Sequence, residues 1–119
     1  MTPLRQALIN ALQSISRVDR GWIASFSFPK DSPVFAGHFP GTPILPGVVL
    51  ILMAQTVLEE MHEHLALHTL LEAKFFTPLP PETLITLTVL ARDTGIWECT
   101  VTQDKKIAAR LRFSGAFHA

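Results

Sequence analysis

Residues 48–58 read Val-Val-Leu-Ile-Leu-Met-Ala-Gln-Thr-Val-Leu, apolar nearly all round and interrupted only by Gln55 and Thr56. A helix without a polar face has to be covered on every side. That stretch restricts the chain to folds in which other elements wrap one helix. The spacing predicts a helix over residues 47–65, roughly 28 Å long at 1.5 Å per residue. Its second half turns polar at Glu59, Glu60, His62, Glu63 and His64, so that end reaches water.

The run that feeds this helix is Gly37-His38-Phe39-Pro40-Gly41-Thr42-Pro43-Ile44-Leu45-Pro46-Gly47. Its three prolines in seven residues fix φ and push each preceding residue toward extended geometry. A stiff loop that aims one titratable side chain, His38, at the start of a buried helix is a candidate site.

The rest of the chain supplies the cover. A short amphipathic helix is expected over residues 3–15, with Leu4, Leu8, Ala11, Leu12 and Ile15 on one face. A strand follows over residues 17–28, where Trp22, Ala24, Phe26 and Phe28 alternate with Ile23, Ser25 and Ser27. After the long helix come strands over residues 70–76, 84–92, 96–102 and 107–113, the last three as an antiparallel meander. In the final strand Ile107, Ala109, Leu111 and Phe113 are expected inward and Arg110 and Arg112 outward. A curled antiparallel sheet around a long central helix satisfies this order: an α+β fold of the hotdog shape. No repeat or linker interrupts residues 1–119, so one domain is expected.

Composition narrows the function. Hydrophobic residues make up 48% of the chain, which points to apolar surface buried in an oligomer. Ten basic and ten acidic residues balance, and no basic run is interleaved with aromatics, so no nucleic-acid partner is expected. Residues 48–54 form the longest apolar run, far short of the roughly 20 that span a bilayer, so no membrane partner is expected. The N-terminal residues lack the apolar core of a signal peptide. A lone cysteine, Cys99, fits a reducing cytoplasm.

The run from His38 to Val48, with Ala54-Gln55 beyond it, resembles the motif of the β-hydroxyacyl-acyl-carrier-protein dehydratases, a family with the hotdog fold. Residues 73–81 also resemble that family's strand-to-turn segment, although Pro81-Glu82 replaces Gly-Asp. The resemblance implies elimination of water from a 3-hydroxyacyl thioester carried on the phosphopantetheine arm of acyl carrier protein. A histidine and a carboxylate act across a subunit interface, and no metal or redox cofactor is needed. It places the histidine at His38 and the thioester-oxygen donor at the Gly47 N–H, with Phe39, Pro46 and Val48 beside the substrate. Physical chemistry supports both roles. Histidine titrates near neutrality. A helix N-terminus offers free N–H groups and about half a positive charge, and one such donor is worth on the order of 10²–10³ in rate.

The carboxylate is missing. Counted without gaps from His38, its position falls on Leu52, and residues 48–58 contain no acid. Glu59 lies seven residues further along the helix, about 10 Å away. Gln55 is the remaining polar candidate; it can orient a water but cannot donate a proton as an acid does. Three readings follow: a dehydratase that uses His38 with Gln55, a non-catalytic or His-donating subunit completed by an acid-bearing hotdog partner, or an acyl thioesterase. A homodimer serves the first, a heterodimer the second. His62, His64 and His68 lack the flanking pattern of a metal motif and read as a solvated helix end. Cys99 reads as packing. Arg110 and Arg112 share a strand face that either meets solvent or receives the acidic carrier protein.

Overall fold

The structure, a computed structural model, describes residues 3–35, 41, 43–61 and 65–117, without the side chains of residues 65–68 and 116–117. The elements are α1 (Pro3–Ala11), β1 (Leu12–Val18), β2 (Gly21–Phe26), a 3-10 turn at Pro33–Phe35, α2 (Gly47–Met61), β3 (Leu65–Phe75), β4 (Ile85–Asp93), β5 (Ile96–Gln103) and β6 (Lys106–Phe117). The six strands make one sheet in the order β1-β2-β4-β5-β6-β3, with every pairing antiparallel.

The sheet curls over α2 because each central strand presents an alternating apolar row. Trp22, Ala24 and Phe26 of β2, Ile85, Leu87 and Val89 of β4, and Trp97, Cys99 and Val101 of β5 are all buried. They form one core with Val49, Leu50, Met53, Ala54, Val57 and Leu58 of α2. The Trp22 and Trp97 rings stack with centroids 6.1 Å apart. The expected meander of β4, β5 and β6 is present. Its second turn, Asp104-Lys105, has positive φ at both residues (50° and 65°), the backbone that suits a two-residue hairpin.

Several features differ from the sequence expectation. The first helix stops at Ala11, and residues 12–18 form β1 instead. Leu12 and Ile15, three residues apart, fit a helix face, and a bulge between Leu12 and Ser14 breaks the alternation that marks a strand. The expected strand 17–28 is the second half of a hairpin that reverses at Asp19-Arg20, with Arg20 at φ 66°. The central helix ends at Met61 and β3 begins at Leu65, five residues before the expected 70. Ile107 is exposed, because the register slips between Val101 and Thr102 and leaves Ala108, fully buried, as the extra residue.

The all-round burial expected of residues 48–58 is also incomplete within one chain. Val48 is 57% exposed, and Ile51 and Leu52 are half-buried. Among the described residues, no helix is long and apolar enough to cross a membrane.

Two predictions test the frame. A Cβ on Gly21 would lie 1.8 Å from the Val89 carbonyl oxygen, a backbone atom of the neighbouring strand. Gly21→Ala is expected to destabilise the fold by at least about 2 kcal/mol in urea unfolding. The second concerns Cys99. Burial, with a smaller push from Glu98, raises its thiol from 9.0 to about 12. The unfolded chain therefore sheds this proton first as pH rises. The contribution is whole below the unfolded value and is lost on the way to the folded one, by up to about 1.4 kcal/mol per pH unit. The chain has no tyrosine to titrate in the same window. Stability measured from pH 9 to 10 should fall, and the Cys99→Ala profile should be flatter.

Candidate active site

The start of α2 is fixed from both sides. The Leu45 N–H donates to the Leu79 carbonyl at 2.8 Å, tying the approach segment to the chain that leaves β3. The Val49 N–H donates to the Pro46 carbonyl at 3.0 Å and closes the first turn. Gly47 and Val48 carry the leading N–H groups of α2, which have no acceptor within the helix. Beside them lies an apolar cavity of about 530 Å³, whose lining includes Leu45, Pro46, Gly47, Leu50, Phe75 and Leu79. The opposite wall is equally anchored. The N–H groups of Phe76 and Thr77 both donate to the Ala108 carbonyl, at 2.8 and 3.3 Å. The bulge at Ala108 thus supplies the acceptor that ends β3.

An apolar cavity with a helix N-terminus in its wall can hold a hydrocarbon chain while offering N–H donors to a carbonyl oxygen. Of the residues expected at the substrate, Pro46 and Gly47 line this cavity. Val48 is the next residue, with its side chain largely exposed. His38 and Phe39 lie outside the described residues.

Gln55 stands elsewhere. It lines a smaller groove of about 220 Å³ between the two helices, with Leu4, Arg5, Leu8 and Leu52. Leu52, at the position of the missing acid, therefore packs beside α1. Its carbonyl accepts a 2.7 Å hydrogen bond from the Thr56 hydroxyl. Glu59 and Glu60 pair with Arg5 of α1 at 3.6 and 3.9 Å, with all three side chains half-exposed.

His62 and His64 lie outside the described residues, and His68 falls on β3 rather than on the helix. Among the described residues, no group of three His, Cys, Asp or Glu could hold a metal ion. The outward face of β3–β6 separates the two arginines. Arg112 meets Glu72 at 3.7 Å and Glu98 at 4.0 Å. Glu98 also meets Arg92 at 3.1 Å, and Glu72 meets Lys74 at 3.0 Å. The Lys74 hydrogen bond and charge, joined by Arg112, hold the Glu72 carboxyl below its ordinary value. Arg110 has no ion-pair partner among the described residues. Sequence reading missed Phe75 and Phe76 as cavity residues. The signal was present: two large aromatics, now 51% and 55% exposed, directly before the turn that closes a strand.

The curled sheet on a central helix defines a hotdog protein, here with an apolar cavity at the helix start. The chain belongs to the ApeI-like family, described as the ApeI dehydratase, whose profile matches residues 14–112. A curated relative, the 3-hydroxyacyl-[acyl-carrier-protein] dehydratase FabZ of Chlamydia trachomatis, is 30% identical over 90 residues, 67% of this chain. The chain spans 59% of that relative's length. Among solved structures, the dehydratase heterocomplex ApeI:P of Xenorhabdus doucetiae superposes with a TM-score of 0.80 at 18% identity, over 88% of this chain and 96% of that one. The PaaI protein of the Escherichia coli phenylacetic acid degradation operon gives 0.70 at 15% identity, over 89% and 79%. The sequence matches carry the resemblance to hydroxyacyl-carrier-protein dehydratases and the structural matches carry the fold, and this is a dehydratase-like hotdog protein.

The groove between the helices yields a prediction. Leu52→Asp places a carboxylate against Leu4 and Leu8. It is expected to cost about 1–3 kcal/mol of folding stability, read by urea unfolding. An unchanged midpoint would mean that α1 does not cover this face in solution.

Proposed function

We propose that this chain acts on 3-hydroxyacyl thioesters carried by acyl carrier protein, in fatty-acid or polyketide-type synthesis, as the His-donating subunit of a heterodimeric dehydratase. The observation that carries the reading is the contrast within α2. Its N-terminus opens on an apolar cavity, while the position that should carry the acid is Leu52, packed beside α1. The ApeI:P structure is titled a dehydratase heterocomplex, which favours completion by a second subunit over a homodimer using Gln55.

In this reading His38 takes the α-proton of the thioester. The electron pair moves onto the thioester oxygen as an enolate, and the Gly47 N–H donates to that oxygen. The pair then returns to form the Cα–Cβ double bond as the β-hydroxyl leaves. A carboxylic acid of the partner protonates the leaving hydroxyl, which departs as water. Phe39, Pro46 and Val48 border the acyl chain. Subunit pairing is supported by the apolar surface left open: Val48 on α2, and Leu70 and Leu71 on β3, an edge of the sheet. One hotdog domain spans residues 1–119 and works in the cytoplasm, where its single buried thiol stays reduced.

The test is intact mass spectrometry of a 3-hydroxyacyl-carrier protein. It is incubated with this chain alone, then with a co-expressed acid-bearing hotdog protein. No change alone, loss of water with the partner, and abolition of that loss by His38→Ala are expected. Loss of the whole acyl group would establish a thioesterase instead. Dehydration by the chain alone would restore the homodimer with Gln55. Turnover unaffected by His38→Ala would overturn the site assignment.

A further inference from the structure

The last residue of β3 does more than close a strand. A Cβ built on Gly47 would lie 2.8 Å from Cζ of Phe75 and 3.2 Å from both Cε atoms. The equal pair and the shorter para distance mean that the ring points tip-first at the glycine. Its para carbon occupies the space that any other residue at position 47 would fill. The ring is 51% exposed, and it forms part of the wall of the 530 Å³ cavity next to the leading N–H groups of α2. The backbone beyond it is held by the two bonds to the Ala108 carbonyl. The ring therefore has a fixed root, a seat that exists only because residue 47 lacks a side chain, and open solvent on its other side.

We propose that Phe75 is a specificity-determining residue of the acyl site. Seated on Gly47, its ring limits the width of the group that can rest against the helix N-terminus, so that narrow straight-chain acyl groups are favoured over branched ones. This rests on the thioester-binding reading above. The geometry also makes tyrosine a poor replacement. A para hydroxyl would project from the very carbon that meets Gly47, so Phe75→Tyr cannot keep the seat. Gly47→Ala evicts the ring from the other side, cheaply, because a half-exposed side chain can swing into water.

The experiment measures dissociation constants for straight-chain and branched-chain acyl-pantetheine thioesters with the purified assembly. Wild type should prefer the straight chain. Phe75→Ala should reduce that preference by at least about tenfold, the scale of small apolar differences in a pocket. Phe75→Tyr and Gly47→Ala should reduce it in the same direction, and Gly47→Ala should change nothing further in the Phe75→Ala background. A merely structural role would weaken all thioesters alike and leave the ratio untouched. An unchanged ratio in Phe75→Ala, or a wild-type ratio in Phe75→Tyr, overturns the inference while thioester binding stands. A wild type that binds no thioester overturns the underlying reading and this inference together.

Discussion

Covering α2 is the constraint from which the rest of the structure follows. Met53, Ala54, Val57 and Leu58 are wholly buried, and no polar group on that side of the helix can face water. Burying each large side chain is worth roughly 1.5–3 kcal/mol, provided a continuous apolar surface meets it. The rows Trp22-Ala24-Phe26, Ile85-Leu87-Val89 and Trp97-Cys99-Val101 provide that surface. A sheet that covers a cylinder must curl, and its register yields at bulges that include those at residues 12–14 and at Ala108. The bulge at Ala108 then acquires a further use, since its carbonyl holds the exit of β3 and one wall of the cavity.

One chain does not finish the covering. The helix face that carries Ile51 and Leu52 is only half-buried, and Val48 is open. α1 covers part of this face through Leu4 and Leu8, reinforced by Arg5 against Glu59 and Glu60. Surface ion pairs of that kind contribute little energy, so the apolar contacts do most of the holding and the charges set the alignment. The remainder, with Leu70 and Leu71 on an edge strand, is the surface that a second subunit would cover in the proposed dimer.

How much of this could be read in the sequence depended on how far each signal reaches. The central helix and the meander were legible because their periods are local: apolar all round for α2, strict alternation in β4 and β5. β1 was not, because the three-residue spacing of Leu12 and Ile15 fits a helix, and the deciding interaction is bulged pairing with β2. Ile107 misled because one extra residue, set by the partner strand, inverts every side chain beyond it. At the site, the residue types from Pro43 to Gly47 announced a rigid approach to a helix, and Pro46 and Gly47 do line the cavity. That the Phe75 ring meets Gly47 was not legible, since nothing in residues 73–77 says which glycine it will touch. Gln55 was named by chemistry alone, and it lines the groove beside α1.

The missing acid gains a physical meaning from the same geometry. A carboxylate is costly wherever it is desolvated without a cation. At Leu52 the neighbours among the described residues include Leu4 and Leu8, while the nearby cation, Arg5, is engaged by Glu59 and Glu60. In the proposed reading, the helix position where the family's acid falls carries a leucine that borders the groove beside α1. The groove of about 220 Å³ at this position mixes Leu4, Leu8 and Leu52 with Arg5, Gln55, Thr56 and Glu59. In the proposed reading the absence of an acid from residues 48–58 leaves a subunit specialised for the base and the oxyanion donor, with proton donation to the leaving hydroxyl delegated to the partner.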